Sequence, residues 1–530
     1  MNDFKKYIIE PISETTGKDN ICCDAIKIVE FNQTDKILPA NKITEQNDLF
    51  ICVRTCQIVN YLAERQYYIP ANIIDIGVEA RNLRNGLVCD DSPTLEQACV
   101  YYGIETSKRI TDQMAELFRT IMDQIDFPLA ILRGNYLKAL AVVERNGIPI
   151  DFELYNKLME NRIRIRRELI DEIDMQYNVY ENYSFNQKLF CRYLHRNKIE
   201  WPITETGKPD LRDETFKEMV SIYPQIAPLR ELRKLLTNLQ DNNLTIGDDG
   251  RNRTQLIPFK AKTGRNQPKT SRYIFGQSKS LRSIIKPPPG RALAYIDWSQ
   301  QEFGIAAALS GDKNMQKAYQ DGDPYLYFAK LANAIPENAT KQSHPEIRKN
   351  FKECILAVQY GMGSWSLAER IKRTESYARY LLECHRKMFP DYWAWLDDVL
   401  NHVKWDSQLY TQLGWNINIS SDTEINERSL GNFPIQATAA EILRIATIMM
   451  TEHNIKICTT VFDAFLIESN IDTIEEDTSV AKNLMEKSGM LLLNDFKLRS
   501  DVKTYRHPDH FEEPDGSVIW QKLLPLILKN

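Results

Sequence analysis

Over the first 125 residues the hydrophobic pattern alternates between short runs rich in β-branched and aromatic residues and stretches at helical spacing. The runs CDAIKIVEF, LFICVRT and NIIDIGV predict strands, and TLEQACVYYGI predicts a helix with Leu95, Cys99 and Val100 on one face. Together they describe a compact α/β unit. From Asp126 to about Asn243 the chain becomes almost wholly helical, in charged amphipathic runs such as ILRGNYLKALAVVERNG and ELYNKLMENRIRIRRELIDEI. Gly147-Ile148-Pro149 and WPITETGKPD supply the breaks. Helices this polar suggest a projecting arm rather than a buried core. Ala292 to Ile296 then predicts a short buried strand and Ser299 to Leu309 a helix. Helices continue to about Trp405, the remainder mixes strand and helix, and no repeat or low-complexity tract interrupts the chain.

Composition narrows the class. The 67 Lys+Arg against 72 Asp+Glu leave a net charge of −5, which excludes a histone-like basic protein and an acidic disordered tail but not a locally basic cleft. At 43% apolar the chain can fill large cores, and a length of 530 residues suggests three or four domains or subdomains at roughly 100–200 residues each. No apolar run approaches the ~18 residues that cross a bilayer, and the start, MNDFKKYIIEP, lacks a signal-peptide stretch. A soluble cytoplasmic protein without a membrane partner is expected. The ten cysteines are scattered as in a reducing compartment, and neither Cys22-Cys23 nor the pair Cys52 and Cys56 has a second ligand pair at zinc-binding spacing.

The strongest asymmetry lies between Gly250 and Arg291. That segment carries Arg251, Arg253, Lys260, Lys262, Arg265, Lys269, Arg272, Lys279, Arg282, Lys286 and Arg291 without one acidic residue. A solvated basic loop is the bland reading. Interleaved Phe259, Tyr273 and Phe275, with many Ser, Thr, Asn and Gln donors, favour a surface that holds a phosphodiester backbone.

Three further patterns carry chemistry. In LAYIDWSQQEF an apolar strand delivers Asp297 to its carboxyl end just before a helix, where a carboxylate either caps the helix or holds a hard cation. In CTTVFDAFLIES, Asp463 stands at a bend between two strand-like runs, as a turn former or as a second metal carboxylate. Two such carboxylates side by side give the two-metal geometry of phosphoryl transfer. In HPEIRKNFKECILAVQYGMGS, Arg348 and Lys352 are spaced i, i+4, and Tyr360 follows about 120° further round, so one helix face offers two cations and a ring. Many surface helices also carry Arg and Lys at that spacing.

These blocks, in this order, resemble the family A DNA polymerases related to bacterial DNA polymerase I. IDWSQQEFGIAAALSGD and VFDAFLIES are similar to the two palm motifs, and RKNFKECILAVQYGMG to the fingers helix. RSLGNFPIQATAAEILRIA looks like the Gln-containing palm helix, and KTGRNQPKTSRYIFGQSKSLR like the template-primer grip. The likeness spans roughly residues 126 to 510. It implies a mixed α/β right-hand fold: a small exonuclease-like domain (1–125), thumb and start of the polymerase domain (126–250), first part of the palm (251–312), fingers (313–410) and second part of the palm (411–530). It implies a monomer that acts on primer-template DNA and dNTPs in replication or repair, in a bacterium or from a phage or plasmid.

By position, the resemblance implies that Asp297 and Asp463 bind two Mg²⁺ ions, with Mn²⁺ as the alternative. Glu302 would be the steric gate against a ribose 2′-OH. Arg348 and Lys352 would grip the triphosphate, and Tyr360 would stack at the insertion site. Arg265 and Gln436 would reach the minor-groove side, and Arg282 the primer backbone. The motifs also depart from the family. Phe462-Asp463-Ala464 stands for the usual His-Asp-Glu, and Leu356 occupies the place of an aromatic residue beside the sugar, with Ala357 where Gly is common. Both metal carboxylates remain, so retained activity with altered sugar selectivity or fidelity is expected. No Asp-x-Glu pair precedes residue 125 and Asp75, Glu79 and Asp112 lack convincing partners, so the first domain is expected to lack proofreading; nor does the length accommodate a 5′-nuclease. The rival readings are a catalytically impaired, polymerase-derived DNA-binding protein and a nucleotidyltransferase with a relaxed template requirement.

Overall fold

The strand expected at Ala292 to Ile296 extends over Arg291–Trp298 and lies inside a four-stranded antiparallel sheet. Its neighbours follow the order Ile457–Val461, Ala464–Asn470, Arg291–Trp298, Ser500–Arg506. The computed structural model describes residues 5–12, 23, 25–31, 33–39, 48–88, 94–241, 244–420 and 426–529. The helix Ile474–Leu492 packs on this sheet and on the long helix Glu427–Glu452. On the outer strand, Asn146 Nδ2 donates to Ile457 O at 2.9 Å, which ties in the end of the helix Phe127–Asn146.

That helix joins the sheet to the N-terminal unit. There, five strands run in the order Gln33–Leu38, Ala25–Glu30, Lys6–Ile12, Leu49–Cys52, Asn72–Asp75; the first three are antiparallel and the last two parallel to Lys6–Ile12. Alternate residues face opposite cores: Ile9, Ile28, Phe50 and Ile73 enter the main core, while Ile8, Val29, Ile51 and Ile74 meet the helices Leu95–Tyr101 and Ile110–Ile121. Gly134 of the helix Phe127–Asn146 lies against the sheet so closely that a Cβ would fall 1.9 Å from Ile73 O, so no other residue fits there. Two local expectations are corrected. Ile76-Gly77-Val78 does not continue a strand but opens the helix Ile76–Arg84, because Asp75 caps it. Val100 is exposed, and of its predicted face Cys99 is buried.

The helices Phe152–Glu160, Arg162–Asp174, Gln187–Arg196, Asp213–Ile222 and Ala227–Asp241 form the arm. It is less polar inside than its sequence suggested: Leu158, Ile165, Leu169 and Leu232 are buried, and Phe190, Trp201 and Phe216 make an aromatic cluster with centroids 4.8–5.6 Å apart. The last helix, Pro514–Leu528, packs on Arg162–Asp174 and Ala227–Asp241, so the chain ends against the arm. Six helices between Lys313 and Asp406 build a third body around Phe328, Phe351, His385 and Phe389. Sheet, helical arm and helical third body reproduce the palm, thumb and fingers that the motifs implied. Among the described residues no helix is long and apolar enough to cross a membrane.

Candidate active site

Register places the acidic residues. In the antiparallel pairing Asp297 lies opposite Ala464, and Trp298 N donates to Asp463 O at 3.1 Å. Asp463 stands at the tip of the hairpin between Ile457–Val461 and Ala464–Asn470, one residue beyond Asp297's cross-strand partner. Asp297 is not the cap of the helix that follows: that position belongs to Gln300, and the helix spans Gln301–Ser310. Burial pushes the Asp463 carboxyl up to about 6, reinforced by the negative charge of Asp297 and opposed by Arg265. Burial and Asp501 raise Asp297 as well.

Recessed like charges of this kind disfavour their own ionised forms unless a cation is shared. The donors are hard oxygens, and among the described residues no group of three or more His, Cys, Asp or Glu forms a closed cage. Two carboxylates with open positions fit Mg²⁺, which keeps water and substrate phosphate among its ligands.

Asp463 opens onto a cleft lined also by Arg265, Glu302, Tyr325, Leu356, Tyr360 and Phe462. Glu302 is held from two sides, by Arg265 Nη2 at 3.0 Å and by the Tyr360 hydroxyl at 3.3 Å. Tyr360 caps the helix Pro345–Gln359, which also carries Arg348, Lys352 and Leu356. Arg348 Nε donates to Asp323 Oδ2 at 2.6 Å, and both cations lie over the Tyr325 ring, at 5.2 Å for Arg348 and 5.9 Å for Lys352. Arg348 and Lys352 thus share a face around the buried Tyr325, while the third member read onto that face, Tyr360, is placed with the residues that line the cleft. Phe462 is 82% exposed with φ +53°, a left-handed conformation that a bulky residue adopts at a cost.

The remaining candidates are placed apart. Gln436 sits half-buried on the helix Glu427–Glu452, two residues past Pro434, outside the group that lines the cleft. Arg282 turns inward, with Nη1 2.6 Å from Glu513 Oε2 and Nη2 2.6 Å from Phe275 O. The basic run is also less open than it reads. Arg251, Arg253, Arg265, Lys279, Arg282, Lys286 and Arg291 all form ion pairs, and Phe259, Tyr273 and Phe275 are core residues rather than surface rings.

Two residues at the site escaped the sequence reading. Asp501 lies directly across from Asp297 on the strand Ser500–Arg506 and accepts from Ser299 Oγ at 2.5 Å. Nothing local in RSDVKTY marks it; only the strand register does. Tyr325, in DPYLYF, follows a helix cap and a proline and reads as the first turn of a helix, which it also is.

Comparison with known proteins identifies the family. The sequence model of DNA polymerase family A matches residues 152–507. A DNA polymerase I, thermostable, from Thermus caldophilus is 26% identical over 381 residues, covering 66% of this chain and 45% of that protein. DNA polymerase I of Aquifex aeolicus is 24% identical over 387 residues, covering 69% of this chain and 65% of its own length. The chain thus spans about half the length of the first of these relatives. Among solved structures, the POL domain of Pol1 from M. smegmatis in complex with DNA primer-template and dNTP superposes with a TM-score of 0.74 at 20% identity, covering 97% of this chain and 96% of that one. With the family's sequence model matched over two thirds of its length and the right-hand fold present, the chain belongs to the family A DNA polymerases.

Proposed function

We propose that this protein is a template-directed DNA polymerase that joins a dNTP to the 3′-hydroxyl of a primer on primer-template DNA, using Asp297 and Asp463 as the ligands of two Mg²⁺ ions, or of Mn²⁺ in their place. The observation that carries the reading is the cross-strand placement of Asp297 beside Asp463, at the edge of a cleft that Glu302, Tyr325 and Tyr360 also line. The primer oxygen attacks the α-phosphorus, the bond to the β-phosphate oxygen breaks, and pyrophosphate leaves. When bound, the divalent ions would activate the primer hydroxyl and offset charge on the leaving oxygens.

The chain's own residues position the partners. Arg348 and Lys352 bind the triphosphate; Asp323 and the Tyr325 ring fix Arg348, and the same ring holds Lys352, before substrate arrives. Glu302 fills the space beside the sugar's 2′ carbon and so disfavours rNTPs. Tyr360 stacks at the insertion site with Leu356 beside it, while Arg265 and Gln436 contact the nascent pair or primer from the minor-groove side and Arg282 the primer backbone.

The N-terminal unit serves as an exonuclease-like remnant without proofreading, because the fold itself engages its acidic residues. Asp75 accepts from Thr55 N, Thr55 Oγ1, Gly77 N and Val78 N; Glu79 is paired with Arg133 and Asp112 with Arg109. Primer extension tests the proposal: wild-type protein should extend a primer only with a divalent cation and should not shorten a mismatched 3′ end. Salt-sensitive binding of primer-template without any synthesis would support the DNA-binding rival instead, and extension without a template would favour the transferase.

A further inference from the structure

The N-terminal unit reaches the turn that leads into Arg265 through the buried side chain of Asn85. Asn85, immediately after the helix Ile76–Arg84, is 0% exposed. Its Nδ2 donates to two backbone carbonyls, Lys262 O at 2.7 Å and Asn416 O at 2.5 Å, while Oδ1 accepts from Arg81 Nη1 at 2.6 Å. Its own carbonyl accepts from Asn418 N at 2.7 Å. One amide therefore ties together the N-terminal unit, the hairpin of strands Gln408–Tyr410 and Asn416–Asn418, and the turn that leads into Arg265.

The seam leaves little room for movement. Gly86 has φ +90°, and a Cβ there would fall 2.2 Å from Asn418 O. Asn82 adds a second tie to the hairpin, with Nδ2 to Gly414 O at 2.8 Å and Oδ1 from Asn416 N at 2.9 Å, but it does not reach the turn. The turn itself closes through Gly264 N to Ala261 O at 2.8 Å and Ala261 N to Arg265 O at 3.3 Å. Its carbonyls are held from outside: Lys262 O takes Trp415 Nε1 at 2.9 Å as well as Asn85, and Gly264 O takes Arg444 Nη1 at 3.0 Å. Both lone pairs of Lys262 O are then used, so losing the Asn85 amide would leave that carbonyl underbonded at a partly buried seam. From this fixed turn Arg265 reaches Glu302 Oε1 at 3.0 Å.

We infer that Asn85 is a positioning residue for nucleotide insertion: the N-terminal unit serves as a brace that fixes the 261–265 turn and, through it, the Arg265 guanidinium. The inference rests on the proposed polymerase reading for what Arg265 does, but the brace itself does not.

The test uses the full chain. Asn85→Asp keeps the side-chain volume and the acceptor for Arg81 and removes both donated hydrogen bonds; Asn82→Ala breaks the same seam without touching the turn. Hydrogen–deuterium exchange of the peptide spanning 259–267 should accelerate at least about fivefold in Asn85→Asp and stay at the wild-type rate in Asn82→Ala. Equal exchange in Asn85→Asp and wild type would overturn the brace, whatever the enzyme's activity. Should Asn85→Asp fail to fold, Trp415→Phe removes the other donor to Lys262 O and should give the same localised acceleration; no acceleration there overturns the inference.

Single-turnover dNTP incorporation supplies the functional arm. If Asn85 acts through Arg265, the double variant Asn85→Asp/Arg265→Ala is no slower than Arg265→Ala alone, and the loss in Asn85→Asp appears in apparent dNTP affinity rather than in primer-template affinity. Multiplying losses in the double variant would contradict coupling. A wild-type protein that does not extend at all would count against the polymerase reading and leave the exchange result standing.

Discussion

Arg265 and Glu302 form a 3.0 Å ion pair across the cleft, and the other oxygen of Glu302 accepts from the Tyr360 hydroxyl at 3.3 Å. A carboxylate held by two partners on separate elements has little freedom to swing away from an incoming sugar, which is what a steric gate requires. Glu302→Ala should therefore raise rNTP incorporation relative to dNTP by about tenfold or more, equivalent to ~1.4 kcal/mol of discrimination. Competition between rNTP and dNTP in single-nucleotide extension measures it; unchanged discrimination would remove Glu302 from that role.

Arg282 is bound to Glu513 and Phe275 O, and Lys279 pairs with Asp515 and Glu513, the two acidic residues standing at the head of the last helix. A primer phosphate must displace these carboxylates to engage Arg282. Glu513→Gln should then tighten primer-template binding a few-fold, and Arg282→Ala should reduce the slope of log affinity against log salt by about one. Fluorescence anisotropy across a salt series checks both. An Arg282→Ala variant that unfolds earlier but keeps the wild-type slope would make this arginine a clasp between palm and arm.

Glu79 and Arg133 make a bidentate ion pair, Nε to Oε1 at 2.7 Å and Nη2 to Oε2 at 2.6 Å, with side chains only 2% and 8% exposed. Arg133 also donates to Leu413 O at 3.2 Å. Removing one partner strands a buried charge, so Glu79→Ala should lower stability by roughly 3–5 kcal/mol, whereas Glu79→Met with Arg133→Met should recover much of that loss. Urea denaturation of the three proteins decides it.

Glu144 is buried; Oε1 accepts from Leu256 N at 2.7 Å, and Oε2 has no partner among the described residues. Burial pushes its carboxyl up to about 8. The folded protein thus holds a proton that the unfolded chain releases near pH ~4.3. The stability this contributes is fully present below that pH and declines as pH rises toward 8. Glu144→Gln mimics the protonated acid, so thermal unfolding of the variant should match wild type near pH 4 and exceed it increasingly as pH rises to 8. Parallel curves across that range would show that Glu144 ionises without penalty.

The elements that bear Asp297 and Asp463 were legible because each motif couples an apolar strand to an abrupt polar end, and the i, i+4 cations were legible because helical spacing alone puts them together. Less local features were hidden. Asp501 becomes Asp297's neighbour only through the register of a strand two hundred positions later in the chain. The basic run read as an open phosphate surface because its counter-charges, such as Asp151, Glu468 and Glu513, are distant in sequence. Phe259, Tyr273 and Phe275 could not be told from stacking rings until the core showed them inside. The arm's polar composition likewise concealed Phe190, Trp201 and Phe216, whose spacing is too wide to read as one cluster.

The most direct measurement is single-turnover primer extension with Asp297→Asn, which keeps size and shape while removing the charge, alongside primer-template binding by the same protein. Extension should fall by at least about a thousandfold, equivalent to ~4 kcal/mol of transition-state stabilisation, with DNA affinity within a few-fold of wild type. Extension by Asp297→Asn at the wild-type rate would contradict the assignment of Asp297 and Asp463 as the metal-binding pair.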